Sequence, residues 1–131
     1  MKKTQVEIGA TYIAKVSGMR ALSIRQPWGS LIVKGYKDVE NRTWRTSYRG
    51  PLLIHAALRL DPKGFEFAHS LGIDILPEDC PRGGIIGMAE LVDCVTHHPS
   101  AWWRGPFAFV LANVEQLPFR PLRGRLGIFP A

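Results

Sequence analysis

The run from Gly35 to Gly50, GYKDVENRTWRTSYRG, sets a lysine, a glutamate and an arginine at positions 37, 40 and 42, with Trp44 and Arg45 directly behind them. Read as a strand, it alternates, so Asp38, Glu40, Arg42 and Trp44 share one face and Val39, Asn41 and Thr43 the other. Glu40 and Arg42 can then pair side by side. Lys37 has the opposite parity and shares their face only if it stands in the turn before the strand. There it would serve as a phosphate clamp, which needs only charge, or as an amine activated by desolvation beside other cations. The ordinary reading is a solvated edge strand with a satisfied ion pair.

Further polar and aromatic residues extend this set. Trp44, on the face of Glu40 and Arg42, offers a ring on which a base could stack. The loop SAWWRGP carries Trp102, Trp103 and Arg104, and one of the two tryptophans, taken as Trp103, reaches the cleft rim. Gln26 carries both a donor and an acceptor amide and could read a base edge; its structural alternative is to cap the helix that follows. Trp28 falls on an apolar helix side and reads as core. His55 interrupts the apolar run LLIHAA and reads as a hydrogen-bonded strand histidine. Glu90 alternates with Met88 and Val92, so on an inward face it would need a partner such as Arg42 and would be a further general acid or base. Cys80, Cys94, His97 and His98 lack paired metal-ligand spacing, so the sequence calls for no metal and no cofactor.

The elements that must position these residues can be read in order. ALSIR alternates as a strand, and QPWGSLIVKG reads as a short helix with Pro27 in the first turn and Gly35 as its stop. KDVENRTW and LLIHAA follow as strands, and DPKGFEFAHSLG as a helix capped by Asp61 and ended by Gly72. IIGMAELVDCV is apolar on both faces and reads as a central strand, FAFVLANV as another, and PLRGRLGIFP as a closing strand or turn. Residues 1–18 read as an N-terminal extension and 19–131 as one domain. With 131 residues, 46% of them hydrophobic, one core suffices without disulfides. No apolar run approaches a membrane span, and two cysteines without a secretory leader point to a reducing cytoplasm.

The net charge of +6 is unevenly spread. Basic residues outnumber acidic ones seven to two between Arg20 and Arg49 and four to one between Arg104 and Arg125, whereas from Gly50 to Trp103 they are three against seven. A common basic face therefore requires the fold to join the first and last thirds of the chain. Such a face attracts phosphates.

The spaced residues Gly35, Lys37, Glu40 and Arg42 match the pattern G-x-K-x-x-E-x-R, and LSIRQPWGSLIVKGYKDVENRTWRTSYRGPLLIHAA around them resembles the opening of an activating signal cointegrator homology (ASCH) domain. CPRGGIIGMAELVDCV, PFAFVLANVEQL and LRGRLGIF resemble its later strands, so the likeness runs from Leu22 to Phe129. It implies an α+β fold built on a small mixed β-barrel related to the pseudouridine synthase and archaeosine transglycosylase (PUA) barrel, with two or so inserted helices and the motif beside a cleft between barrel and helix. It also implies binding of RNA, single-stranded DNA or a nucleotide through Gln26, Lys37, Arg42, Trp44, Arg45, Trp103 and Arg104. Two alternatives stay open. One is a ribonuclease or an amidohydrolase acting on modified nucleosides, with Lys37 as the activated group and Glu40 or Glu90 as its acid–base partner. The hydrolase branch has a threonine-bearing neighbourhood after its motif lysine, where Asp38 and Val39 stand here. The other alternative is a protein-interaction module of the coactivator kind.

Overall fold

The structure is a computed structural model that describes residues 18–131; the extension read over residues 1–18 lies, but for Gly18, outside the described residues. The strands are β1 (Arg20–Gln26), β2 (Val39–Arg42), β3 (Gly50–Leu60), β4 (Gly84–Val95), β5 (Phe107–Pro121) and β6 (Ile128–Pro130), and the α-helices are α1 (Trp28–Val33) and α2 (Pro62–Ser70). They form one mixed six-stranded sheet in the order β2-β5-β4-β3-β1-β6. β1 runs parallel to β3 and antiparallel to β6, and the other neighbours are antiparallel. IIGMAELVDCV is central as its two apolar faces require. β5 is longer than its apolar part because EQLPFRP keeps pairing with the start of β4.

The local signals act as their chemistry dictates. Asp61 precedes α2 in an extended conformation and its Oδ1 accepts from the Lys63 amide at 3.1 Å, which satisfies one of the free first-turn donors. Gly35 adopts φ +87°, a conformation that costs a side-chain-bearing residue energy, and the amides of Tyr36 and Lys37 fold back onto the Leu31 carbonyl. That hairpin of chain is what throws Lys37 inward. α1 is not merely amphipathic: Gly29 to Val33 are all buried, so the helix plugs the concave side of the sheet.

Leu22, Ile24, Ile32, Leu52, Ile54, Leu91 and Phe109 fill the inside of the curl. A second apolar cluster, with Leu31, Val39, Ala68 and Trp102, joins α1, β2 and α2. A Cβ at Gly64 would lie 2.6 Å from Pro27 and 3.0 Å from Trp28, so only glycine lets α2 rest on the start of α1.

The barrel expected from the resemblance is corrected to an open sheet. β2 and β6, the edges, are four and three residues long and share no ladder. A side chain crosses the seam instead: Nη2 of Arg42, on β2, donates to the Ser23 carbonyl of β1 at 2.9 Å. β2 is also shorter than the alternation suggested, ending at Arg42, so Trp44 stands beyond the strand.

Candidate nucleic-acid interface

The turn after α1 delivers the Lys37 ammonium beneath Trp28, 5.6 Å from the ring centroid, where it is 3% exposed. It donates to the Val39 carbonyl at 2.6 Å and to Glu40 Oε1 at 2.7 Å. The other carboxylate oxygen, Oε2, accepts from Arg42 Nε at 3.1 Å and Nη2 at 2.8 Å. Glu40 is thus buried between two cations, and three charge-assisted donors hold it. Burial alone would raise its carboxyl, but the charges of Lys37 and Arg42, with their hydrogen bonds, outweigh that and hold it below the ordinary carboxylate range.

The pH dependence follows in sign. A carboxyl whose folded value lies below its unfolded value, about 4.3, stabilises the fold fully above that pH, and the contribution is lost as pH falls through the lower folded value. The urea midpoint should therefore drop steeply below about pH 4.3. The drop should be shallower in Glu40→Gln.

Two cavities meet at this triad. The first, about 620 Å³, lies between α1, β2, α2 and the 102–104 loop, with Trp28, Lys37, Phe67, Trp102 and Arg104 among its walls. The second, about 1190 Å³, runs along β1, β3 and the segment from Pro121 to Gly127. They share Trp28, Glu40 and Asn41. Five arginines line the second groove, namely Arg25, Arg42, Arg59, Arg123 and Arg125, against the single carboxylate of Glu40. The β1–β3 and β1–β6 pairings set Arg25 of the first basic block near Arg123 and Arg125 of the last, and the contact of Arg42 with the Ser23 carbonyl adds Arg42. Arg42 is committed to Glu40 and Ser23, whereas the other four guanidiniums make no hydrogen bond or ion pair among the described residues.

The residues singled out in the sequence are placed as follows. Lys37 and Arg104 line the first cavity, and Arg42 and Trp44 the second. Trp44 is half-buried, with its ring edge-on to Phe109 at 5.1 Å. Arg104 lies over Phe67, 4.6 Å from the ring centroid. Arg45 is exposed over Phe107 and lines neither cavity.

Three placements correct the reading. Gln26 is fully buried, its Oε1 accepting from the Ser30 amide at 2.9 Å and its Nε2 donating to the Ser30 hydroxyl and the Pro81 carbonyl, so it ties down α1, the structural alternative read for it, and lines neither cavity. Glu90 is exposed and accepts from Asn113 at 2.8 Å, because the face it shares with Val92 points outward. Of the adjacent tryptophans it is Trp102, edge-on to Trp28 and Phe67, that lines a cavity; Trp103 packs against His97 instead.

Asn41 was missed. Its Nδ2 donates to the Trp102 carbonyl and its Oδ1 accepts from the amides of Arg104 and Gly105, so one amide fixes the whole aromatic loop. Its place on β2 opposite Glu40 was the available signal. Among the described residues no three His, Cys, Asp or Glu side chains converge as metal ligands, and no helix is long and apolar enough to cross a membrane.

The class of this protein is defined by an α+β sheet with a Lys–Glu–Arg triad beside a basic cleft, Arg42 of the triad reaching from the edge strand β2 to β1. The profile of the ASCH domain matches residues 22–117, and the chain belongs to that family. It is 32% identical to human Activating signal cointegrator 1 and 39% identical to the mouse protein of that name, over 119 residues in each. Each match covers 79% of this chain and 20% of the relative, so the chain spans about a fifth of the length of these curated relatives.

Proposed function

We propose that the protein binds a single strand of nucleic acid, RNA or single-stranded DNA, with its phosphates along the arginine groove and a base or terminal nucleotide in the cavity at Lys37. The observation that carries this reading is the set of four guanidiniums without a partner among the described residues, gathered from distant parts of the chain into one groove with Trp44 and Trp28 on its walls. Arginine is suited to phosphate oxygens, and exposed aromatic faces suit unstacked bases better than a duplex. The Lys37–Glu40–Arg42 triad supports binding over proton transfer, because both Glu40 oxygens are already engaged and the carboxylate braces the cleft wall. The relatives' name, a cointegrator, invites a protein partner as the second reading; an acidic peptide would meet the same arginines.

Incubation with short RNA, single-stranded DNA, modified nucleosides and acidic peptides, with binding followed by anisotropy and products by mass spectrometry, separates these readings. Retention of the oligonucleotides without product supports the proposal. A new nucleoside or cleaved strand would establish the enzyme, and peptide binding alone the interaction module.

Lys37 tests the cleft itself. Lys37→Ala should weaken oligonucleotide binding about tenfold, the order of one charge-assisted contact. Charge alone would let arginine stand in, but the site is 3% exposed between the Val39 carbonyl and the Trp28 ring. Lys37→Arg should therefore bind better than Lys37→Ala yet melt below the native protein. Native affinity in Lys37→Ala would remove Lys37 from the site.

A further inference from the structure

The floor of the arginine groove holds a buried histidine that the triad does not use. His55 on β3 is 2% exposed, packed edge-on to Phe129. Its Nε2 lies 2.5 Å from the Leu122 carbonyl and its Nδ1 2.9 Å from the hydroxyl of Ser23 on β1. Both His55 and Ser23 belong to the groove wall, and Gly124 passes so close that a Cβ there would stand 2.9 Å from each side chain.

The donors can be assigned from the partners. A carbonyl only accepts, so Nε2 carries the proton in the neutral ring and Nδ1 offers a lone pair. The one hydroxyl proton of Ser23 is then committed to Nδ1, and only oxygen lone pairs are left to face the groove. A second proton, at Nδ1, reverses that contact without moving an atom. Nδ1–H donates to Ser23 Oγ, Nε2–H keeps Leu122, and the hydroxyl proton is free to point outward.

We propose that Ser23 and His55 form a proton-linked phosphate subsite in which a phosphate oxygen in the groove accepts from the Ser23 hydroxyl and His55 takes up a proton beneath it. Arg25 on β1, Arg42 on β2, Arg59 on β3, and Arg123 and Arg125 on the segment after β5 line the groove around this pair. Glu40, the one carboxylate among the described residues of the groove, is held by Lys37 and Arg42. A bound phosphate offsets the arginines and faces both the freed hydroxyl and the imidazolium. Anion binding and proton uptake therefore favour one another, and the linkage is reciprocal.

This deepens the strand-binding reading, since the phosphate it concerns is one of the strand's own. The test is the affinity for labelled oligo-dT and oligo-U at constant ionic strength between pH 8 and 6, with the His55 ring nitrogens followed by long-range proton–nitrogen NMR. Binding should tighten about three- to tenfold per pH unit over part of that range, up to the limit of one proton. The ring should pass from the Nε2–H form to the doubly protonated form as oligonucleotide is added. Ser23→Ala, which keeps the histidine, and His55→Gln should each flatten the pH response beyond whatever His69, His97 and His98 contribute.

An equal pH response in native protein and Ser23→Ala, or a ring that stays neutral in the complex, overturns the subsite while leaving strand binding standing. Inorganic phosphate is titrated in parallel. If it protonates His55 while oligonucleotides fail to bind, the subsite stands and the strand reading falls. If neither protonates His55, the subsite is gone.

Discussion

Glu40→Gln is expected to destabilise the fold by about 3–5 kcal/mol, the cost of leaving buried charges without their counter-charge. Two cations lose their partner at once, Lys37 with a side chain 3% exposed and Arg42 with one 22% exposed. If Glu40 held Arg42 alone, weakening one charged hydrogen bond would cost about one or two kcal/mol. The turn at Gly35 makes the difference, because it buries Lys37 on the same carboxylate. For a domain of this size the melting temperature should fall by about 10 °C or more. Urea unfolding gives the free energy directly. The double variant Lys37→Met, Glu40→Gln should recover part of the loss, since only the better-solvated Arg42 then stays unpaired. A cost below about 1 kcal/mol for Glu40→Gln, the range of exposed pairs, would mean that the triad is solvated and does not brace the seam.

Much of this site was legible where the signal is local. Asp61 before Pro62 and Gly35 after an apolar helix face are positions where backbone chemistry leaves few options, and both act as expected. The Glu40–Arg42 contact follows from strand alternation alone. The Lys37–Glu40 contact does not, because three residues apart in a strand means opposite faces; only the conformation of the turn brings them together. The choice between Trp102 and Trp103 depended on the Asn41 amide, sixty-one residues from Trp102 along the chain, which no local pattern encodes. The two roles read for Gln26 could not be told apart locally, because an amide before a helix looks the same in sequence whether it faces solvent or the Pro81 carbonyl fifty-five residues away. The open sheet was likewise hidden: strand runs can be counted in a sequence, but whether two edge strands are long enough to ladder depends on where pairing stops.

Salt should have the largest effect on binding. The four guanidiniums of Arg25, Arg59, Arg123 and Arg125 are unpartnered among the described residues, and each can take one phosphate of a strand lying in the groove. Single strands contribute about 0.7 to the log–log slope per phosphate, so four contacts give about −2.8. Affinity should therefore fall about fifty-fold between 50 and 200 mM salt, since a fourfold change in salt is raised to that power. Arg123→Ala with Arg125→Ala should reduce the slope by about 1.4, with little change in melting temperature because neither side chain has a partner among the described residues to lose. The same pair should weaken RNA and single-stranded DNA alike, as phosphate contacts carry no base information. A slope near zero in the native protein, or one unchanged in the double variant, would place the strand elsewhere. Retained affinity for an acidic peptide, with the native slope abolished by the same two substitutions, would assign the groove to a protein partner.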